Sequence, residues 1–325
     1  MNKLHRSIVI ALSLLVFAST VTACSGATAT DDNRVVMLTV TQQCDYCANV
    51  QSRVEAQLRD AGYDVSTKLT DYDAAEQAQQ VNQAISERPA AIMLWPADST
   101  AAVSPIRKIA AAGIPVVIFD SQPTSEAAKE AWTAFTGPDN VLMGSQAAIA
   151  LVQGVKEKSL PMTGQIAVIT GVPGTDPAIN RLEGFEQKLA EIAPGLSITT
   201  VVASESWDQA GAAGVAASIV NRIPPEELRG VFGQYDPFIS AFIIAAKQAG
   251  LDPTKVSTVG VVCTPEGRRN IENGDQYASI LQSPEDQATY AVDAAVEAIQ
   301  GQTPDKIRYM PAEIMTKANV SNCAS

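Results

Sequence analysis

The sequence predicts an α/β protein built as two doubly wound lobes, and three observations carry that expectation. Short apolar runs rich in β-branched residues alternate with amphipathic helical stretches almost without interruption, the signature of parallel sheets with helices on both faces. Composition agrees: 46% of residues are hydrophobic but only 5% aromatic, with many Ala, Val and Ile, which suits buried parallel strands under Ala-rich helices. The rhythm also runs through twice in succession, in a chain of 325 residues that is long enough for two domains.

Taken in order, residues 35–40 are apolar apart from Thr39 and read as a strand, 48–61 as an amphipathic helix, 65–69 as a strand and 74–87 as a helix. A strand at 90–94, a helix at 100–112 and a strand at 114–119 continue the first series. The second series has strands at 165–170, 197–203, 230–232 and 256–262, with helices at 141–158, 178–192, 209–222 and 238–249. A strand-like segment at 279–282 and a helix at 285–299 close it. In such sheets the loops beyond the carboxyl ends of the strands form the ligand crevice, so two lobes with facing strand ends define one cleft.

The start of the chain carries an address. Lys3, His5 and Arg6 precede an apolar run from Ile8 to Phe17, and Val21-Thr22-Ala23-Cys24 closes it. A basic start, a short hydrophobic core and a small residue before the cut read as a secretory signal, too short and wrongly flanked to span a membrane. The cysteine directly after the small residue resembles the lipobox of bacterial lipoproteins, whose sulfur is acylated before cleavage. Residues 1–23 are then a removable signal and 24–33 a polar tether. The mature chain is expected outside the cytoplasm, held by acyl chains on Cys24 to the outer face of a bacterial cell membrane. No other segment is long and apolar enough to cross a bilayer.

Composition also excludes functions. The only histidine, His5, belongs to the signal, so imidazole-dependent hydrolases and imidazole metal sites lack their central residue. No cofactor or metal is implied, and carboxylate or thiol chemistry alone remains open. Removing residues 1–23 takes away Lys3 and Arg6 and no acid, which carries the net charge from −12 to −14. Such a surface repels nucleic acid and anionic headgroups. Four cysteines follow Cys24, namely Cys44, Cys47, Cys263 and Cys323. In an oxidising compartment they allow two disulfides in any of three connectivities.

Several motifs share one resemblance. They are Ile114-Pro115-Val116-Val117-Ile118-Phe119-Asp120, Asp139-Asn140-Val141, Asn180-Arg181-Leu182-Glu183-Gly184-Phe185, Gly230-Val231-Phe232-Gly233-Gln234-Tyr235-Asp236 and Thr264-Pro265-Glu266-Gly267. Their order and spacing resemble a periplasmic sugar-binding protein of the ribose-binding type, the solute receptor of an ABC importer, over nearly the whole mature chain. The resemblance implies the type I periplasmic binding fold: two Rossmann-like lobes joined by three crossovers, here near Pro138, Gln282 to Ser283 and Glu313. It divides the chain into an N-terminal lobe of residues 34–138 plus 283–312 and a C-terminal lobe of 139–282 plus 313–325. It implies no enzyme activity. Its partners would be a sugar or polyol and an ABC permease and ATPase complex, met by a monomeric receptor. A receptor feeding a membrane sensor is the other role open to the same fold.

The same resemblance implies the ligand site. Asp120, after a strand, would accept hydrogen bonds from adjacent hydroxyls, or else cap its own turn. Arg181 would offer a planar fork of donors, or else stand as a solvated helix residue. Gln282, at a crossover, could both donate and accept, or serve only as a contact between lobes. Tyr46 and Trp207 occupy positions of aromatic rings that sandwich a sugar, with core packing the alternative for Trp207. Departures from the family pattern stand at Cys44, Cys47, Trp95, Tyr235 and Val262, where hydrogen-bonding groups or rings are replaced. They favour a polyol, a deoxysugar or a sugar with an apolar substituent over ribose, with a small amphipathic non-sugar also open.

Cys44-Asp45-Tyr46-Cys47 between a strand and a helix also resembles the start of a thioredoxin-like redox site. The many elements between it and Gly113-Ile114-Pro115 speak against that alternative, a thiol-disulfide oxidoreductase using Cys44 and Cys47. A lactose-repressor-type regulator shares the bilobed core but needs a DNA-binding head and a cytoplasmic address. Hinge closure requires any disulfides to stay within lobes, so the expected bonds are Cys263 to Cys323 and, locally, Cys44 to Cys47.

Overall fold

The computed structural model describes residues 31–323. The expected signal segment, the expected acylation site Cys24 and most of the expected tether lie outside the described residues.

The first series runs β1 (Asp31–Val40), α1 (Asp45–Asp60), β2 (Asp64–Thr70), α2 (Ala74–Glu87), β3 (Pro89–Leu94), α3 (Val103–Ala111), β4 (Val116–Phe119), α4 (Glu126–Ala131) and β5 (Ala134–Pro138). The second runs α5 (Asn140–Glu157), β6 (Gly164–Thr170), α6 (Asp176–Ile192), β7 (Leu196–Ala203), α7 (Gln209–Arg222), β8 (Leu228–Gly233), α8 (Asp236–Gln248), β9 (Ser257–Val262), α9 (Pro265–Asn273) and β10 (Ala278–Leu281). The chain then returns through α10 (Pro284–Ile299) and β11 (Ile307–Met310) before ending on β12 (Ile314–Thr316).

Two six-stranded sheets result, ordered β11-β5-β4-β3-β1-β2 and β12-β10-β9-β8-β6-β7. Every neighbouring pair is parallel except β10 with β12. The chain passes between the sheets three times, after β5, after β10 and between β11 and β12. Parallel pairing explains the continuous apolar strands: Val35, Val36, Met37 and Leu38 are all fully buried because helices cover both faces.

The predicted elements fall where expected, with the helix at 100–112 starting later, at Val103. Five elements have no strong sequence signal. β5 ends in Gly137-Pro138, β11 carries Arg308, and β12 is three residues long. Pairing with a preformed neighbour makes these strands, where intrinsic patterning does not. α4 is only six residues, and α9 is mostly polar on a short apolar base of Gly267 and Ile271.

Helix starts face the gap between the lobes, as the topology demands. Cys44, Asp139, Asp208, Thr264 and Ser283 each accept a backbone N–H of the helix they precede, which satisfies donors the helix cannot use itself. One close approach sets the rest of the second lobe. A β-carbon on Gly144 of α5 would strike the Arg181 carbonyl, and one on Gly184 of α6 would strike that of Val141, so only glycines let the two helices pack backbone to backbone. The disulfides pair Cys44 with Cys47 and Cys263 with Cys323, with Cα–Cα distances of 5.1 and 5.6 Å. Neither ties one sheet to the other.

Candidate ligand-binding cleft

The cleft is made at strand ends. Tyr46 comes from the first turn of α1, Trp95 from the end of β3 and Asp120 from the end of β4. From the other side come Arg181 on α6, Trp207 before α7, Tyr235 after β8 and Gln282 after β10. With Cys44 and Cys47, all nine predicted residues line one cavity and are 2–7% exposed. Tyr72, Ser121, Thr175, Pro177 and Val262 complete the wall. About 30 Å³ of space remains between these side chains.

Arg181 is held rigidly. Its Nε donates to Asn140 Oδ1 at 2.8 Å, one terminal nitrogen to the Gln234 carbonyl at 2.8 Å, and the other to Gln282 Oε1 at 2.7 Å. Asn140 is fixed in turn by donating to Asp176 Oδ2 at 2.7 Å, and Gln234 is fixed by accepting from the Gly171 amide at 2.9 Å. Burial lowers the guanidinium pKa, and Asp120, Tyr46 and Asp176 oppose that shift. Asn140, Gln234 and Asp176 were not singled out from sequence as site residues. Asn140 and Gln234 stand inside the quoted motifs, but their work is to hold an arginine that only the fold brings to them.

Gln282 joins the two sides. Its amide nitrogen donates to the Tyr46 hydroxyl at 2.7 Å and to Asp120 Oδ2 at 2.9 Å, while its oxygen takes Arg181. The Tyr46 backbone N–H donates to the Tyr235 hydroxyl at 3.3 Å. Burial raises the Asp120 pKa to about 7; Arg181, Tyr46 and Ser121 pull it down, and the Asp176 charge adds to the rise. Burial likewise raises Tyr46 and Tyr235 above the usual phenol range.

The aromatic residues form two walls. Trp95 meets Tyr46 and Phe119 edge-on, with centroids 6.1 and 5.4 Å apart. Trp207 stacks on Phe238 at 5.7 Å and meets Tyr235 edge-on at 6.4 Å. Trp207 therefore packs in the second lobe and borders the cavity at once. The Cys44–Cys47 bridge lies beneath Tyr46, with Cys47 Sγ 3.9 Å from the Tyr72 hydroxyl. Both sulfur residues are buried, an unfavourable setting for thiol exchange, which needs access to a partner.

Backbone strain concentrates here. Asp120, Val262 and Cys263 have φ of 65°, 93° and 61°. A β-branched residue at positive φ is costly, and such outliers gather where a site over-determines the backbone. Asp236, fully buried at the start of α8, holds the Val262-Cys263 turn by accepting the Thr264 amide at 2.7 Å and Gln276 Nε2 at 2.8 Å. Burial raises its pKa to about 6.

Two interleaved α/β lobes with a buried polar cleft at their facing strand ends define a bilobed solute receptor. The chain belongs to the periplasmic binding protein domain family, whose model matches residues 35–303. The chain is 28% identical over 250 residues to the D-ribose/D-allose-binding protein of Pseudomonas aeruginosa, covering 75% of each chain. It is 23% identical to the ribose import binding protein of Escherichia coli, covering 90% of this chain and 93% of that one. A carbohydrate transporter solute-binding protein from Agrobacterium radiobacter, solved with D-arabinose, superposes with a TM-score of 0.81 at 20% identity, over 90% of this chain and 97% of that one.

Proposed function

We propose that the protein is an extracytoplasmic solute-binding lipoprotein that captures a neutral sugar, polyol or related small molecule by hinge closure and delivers it to an ABC importer. The observation that carries this reading is the convergence of Asp120 and Tyr46 from one lobe with Arg181 and Gln282 from the other in a single buried cleft. One carboxylate faces one guanidinium, so the cleft is matched to a ligand without net charge. Curated relatives named for ribose and allose support the same ligand class.

The mechanism follows from the geometry. Three crossovers act as the hinge, and contacts from both lobes stabilise the closed arrangement, whose joint surface the permease recognises. Asp120 accepts ligand hydroxyls, Arg181 donates to ligand oxygens, and Trp95 and Trp207 cover its C–H surface. The Cys24 lipid anchor keeps the receptor near its importer.

A thermal-shift screen against pentoses, hexoses, deoxysugars and polyols tests the reading. A ligand at about one hundred times its Kd adds about 2.7 kcal/mol of stability. No response from any of these classes would overturn it. Cys24→Ser tests the anchor: unchanged detergent-phase partitioning and acyl labelling would remove lipidation from the proposal.

A further inference from the structure

A second set of contacts crosses between the lobes at the rim of the cleft. Beyond the end of β6 the turn from Val172 to Asp176 leads into α6, and the Thr175 hydroxyl stiffens it by donating to the Val172 carbonyl at 2.7 Å. This turn reaches the opposite lobe twice. The Ser99 amide, after β3, donates to the Gly174 carbonyl at 3.0 Å, and the Gln122 amide, after β4, donates to Asp176 Oδ2 at 2.9 Å. Both donors are anchored in the first lobe: Asp98 Oδ1 accepts the amides of Thr100 and Ala101 beside Ser99, and the Tyr309 hydroxyl on β11 donates to Gln122 Oε1 at 3.1 Å. The approach is close, since a β-carbon on Gly174 would come within 2.3 Å of Asp98 Oδ2. Ser99, Gln122, Gly174 and Asp176 all lie outside the cavity wall.

Asp176 does more than meet the other lobe. It is 2% exposed at the first turn of α6, and the Oδ2 atom that takes the Gln122 amide also takes Asn140 Nδ2 at 2.7 Å, while Oδ1 accepts from Asn180. Asn140 in turn holds Arg181 Nε at 2.8 Å. One carboxylate oxygen therefore connects a backbone amide of one lobe to the side chain that orients the arginine of the other. Burial raises the Asp176 pKa, and the Gln122 amide opposes that rise ahead of Asn140, Asn180 and Arg181. Stabilising the start of α6 calls for an acid here, but not for one shared with the opposite lobe.

We propose that Asp176 is a positioning residue linked to closure: it clasps Gln122 only when the lobes are together, and through Asn140 the same oxygen sets Arg181 for the ligand. Separating the lobes breaks the Gln122 and Ser99 bonds together, because both acceptors ride on one turn. Contacts made only in the closed arrangement bias the equilibrium toward it. This rests on the hinge-closure reading given above, and adds that closure and the setting of Arg181 are one event.

Hydrogen exchange of the full chain without added ligand, read by NMR, tests the clasp in the wild type, Asp176→Ala, Asp176→Asn and Gly174→Ala. In the wild type the Ser99 and Gln122 amides are expected to exchange more slowly than exposed loop amides. Asp176→Ala should speed both about tenfold or more, although Ser99 does not bond residue 176. The Arg181 Nε proton, slow while Asn140 holds it, should speed with them. Asp176→Asn keeps an oxygen for Gln122 and Asn140 and should restore most of the protection. Gly174→Ala crowds Asp98 and should release both amides with Asp176 intact. Slow amides in β1 and β6 distinguish an opened clasp from a lost fold; if Asp176→Ala loses those too, Gly174→Ala decides. Clasp amides that exchange like exposed loops in the wild type overturn the proposal. So does a Ser99 amide or an Arg181 Nε proton unmoved in a folded Asp176→Ala, or clasp amides unmoved in Gly174→Ala. None of these readouts depends on which solute the cleft takes, so they fail separately from a ligand screen that finds no sugar.

Discussion

Asp120 and Arg181 show how burial prepares ordinary side chains for the recognition role proposed for them. Each is nearly sealed from water, so removing one leaves its partners unpaired at the cost of a buried polar group. Arg181→Ala and Asp120→Ala are each expected to weaken ligand binding by about 2–5 kcal/mol, measured by titration calorimetry. Wild-type affinity in both variants would move the ligand elsewhere. In its proposed role Asp120 would make binding pH-dependent. Its carboxyl titrates near 7, mainly because burial disfavours the charge, and the ionised form is the better acceptor for ligand hydroxyls. Affinity should therefore fall as pH drops through about 7, and Asp120→Asn should flatten that profile.

At the level of elements, the α5–α6 contact links fold to site. Gly144 lies against the Arg181 carbonyl, so Gly144→Ala must push α6 away and carry the guanidinium with it. Overpacking of this kind costs about 1–3 kcal/mol. The variant is expected to lose both thermal stability and ligand affinity, whereas Gly214→Ala on α7, with open space at its β-carbon, should lose neither. The second disulfide stabilises differently. Cys263 follows β9 at a strained turn, and Cys323 ties the carboxyl-terminal segment to it across a sequence separation of 60 residues. Replacing both with Ser should lower stability by about 2–4 kcal/mol, read from urea midpoints. Ligand selectivity should stay unchanged, since this pair lies outside the cavity wall.

For the molecule as a whole, the buried acids set a pH slope. Asp120 and Asp236 hold their protons more tightly folded than unfolded, with folded values of about 7 and about 6 against the ordinary carboxylate value of 3.8. Their stabilising contribution is thus complete below about pH 4 and is lost as pH rises through these folded values. For Asp236 alone the loss is on the order of 3 kcal/mol. Stability measured by urea denaturation should decline from pH 4 to 7, and Asp236→Asn should make the part of the slope below about pH 6 shallower. A variant whose profile runs parallel to the wild type would show that another group carries the effect.

The architecture was legible because it is written locally. Apolar runs such as Val35–Leu38 are satisfied between helical layers, and their alternation with amphipathic helices points to parallel sheets. Asp120, Arg181, Tyr235 and Gln282 were singled out through the family resemblance, and the structure brings all four to one cavity. β5, β11 and β12 were not, because they are strands only through neighbours already in place. Tyr72 and Asp176 were likewise silent, and Asn140 and Gln234, though inside the quoted motifs, gave no sign of holding Arg181, a partner far away in sequence. The sequence by itself determined the fold class and which residue types stand at the strand ends. Only the tertiary structure decided that Gln282 spends its donors on Tyr46 and Asp120, because hydrogen-bond satisfaction depends on distances between lobes that local pattern does not encode.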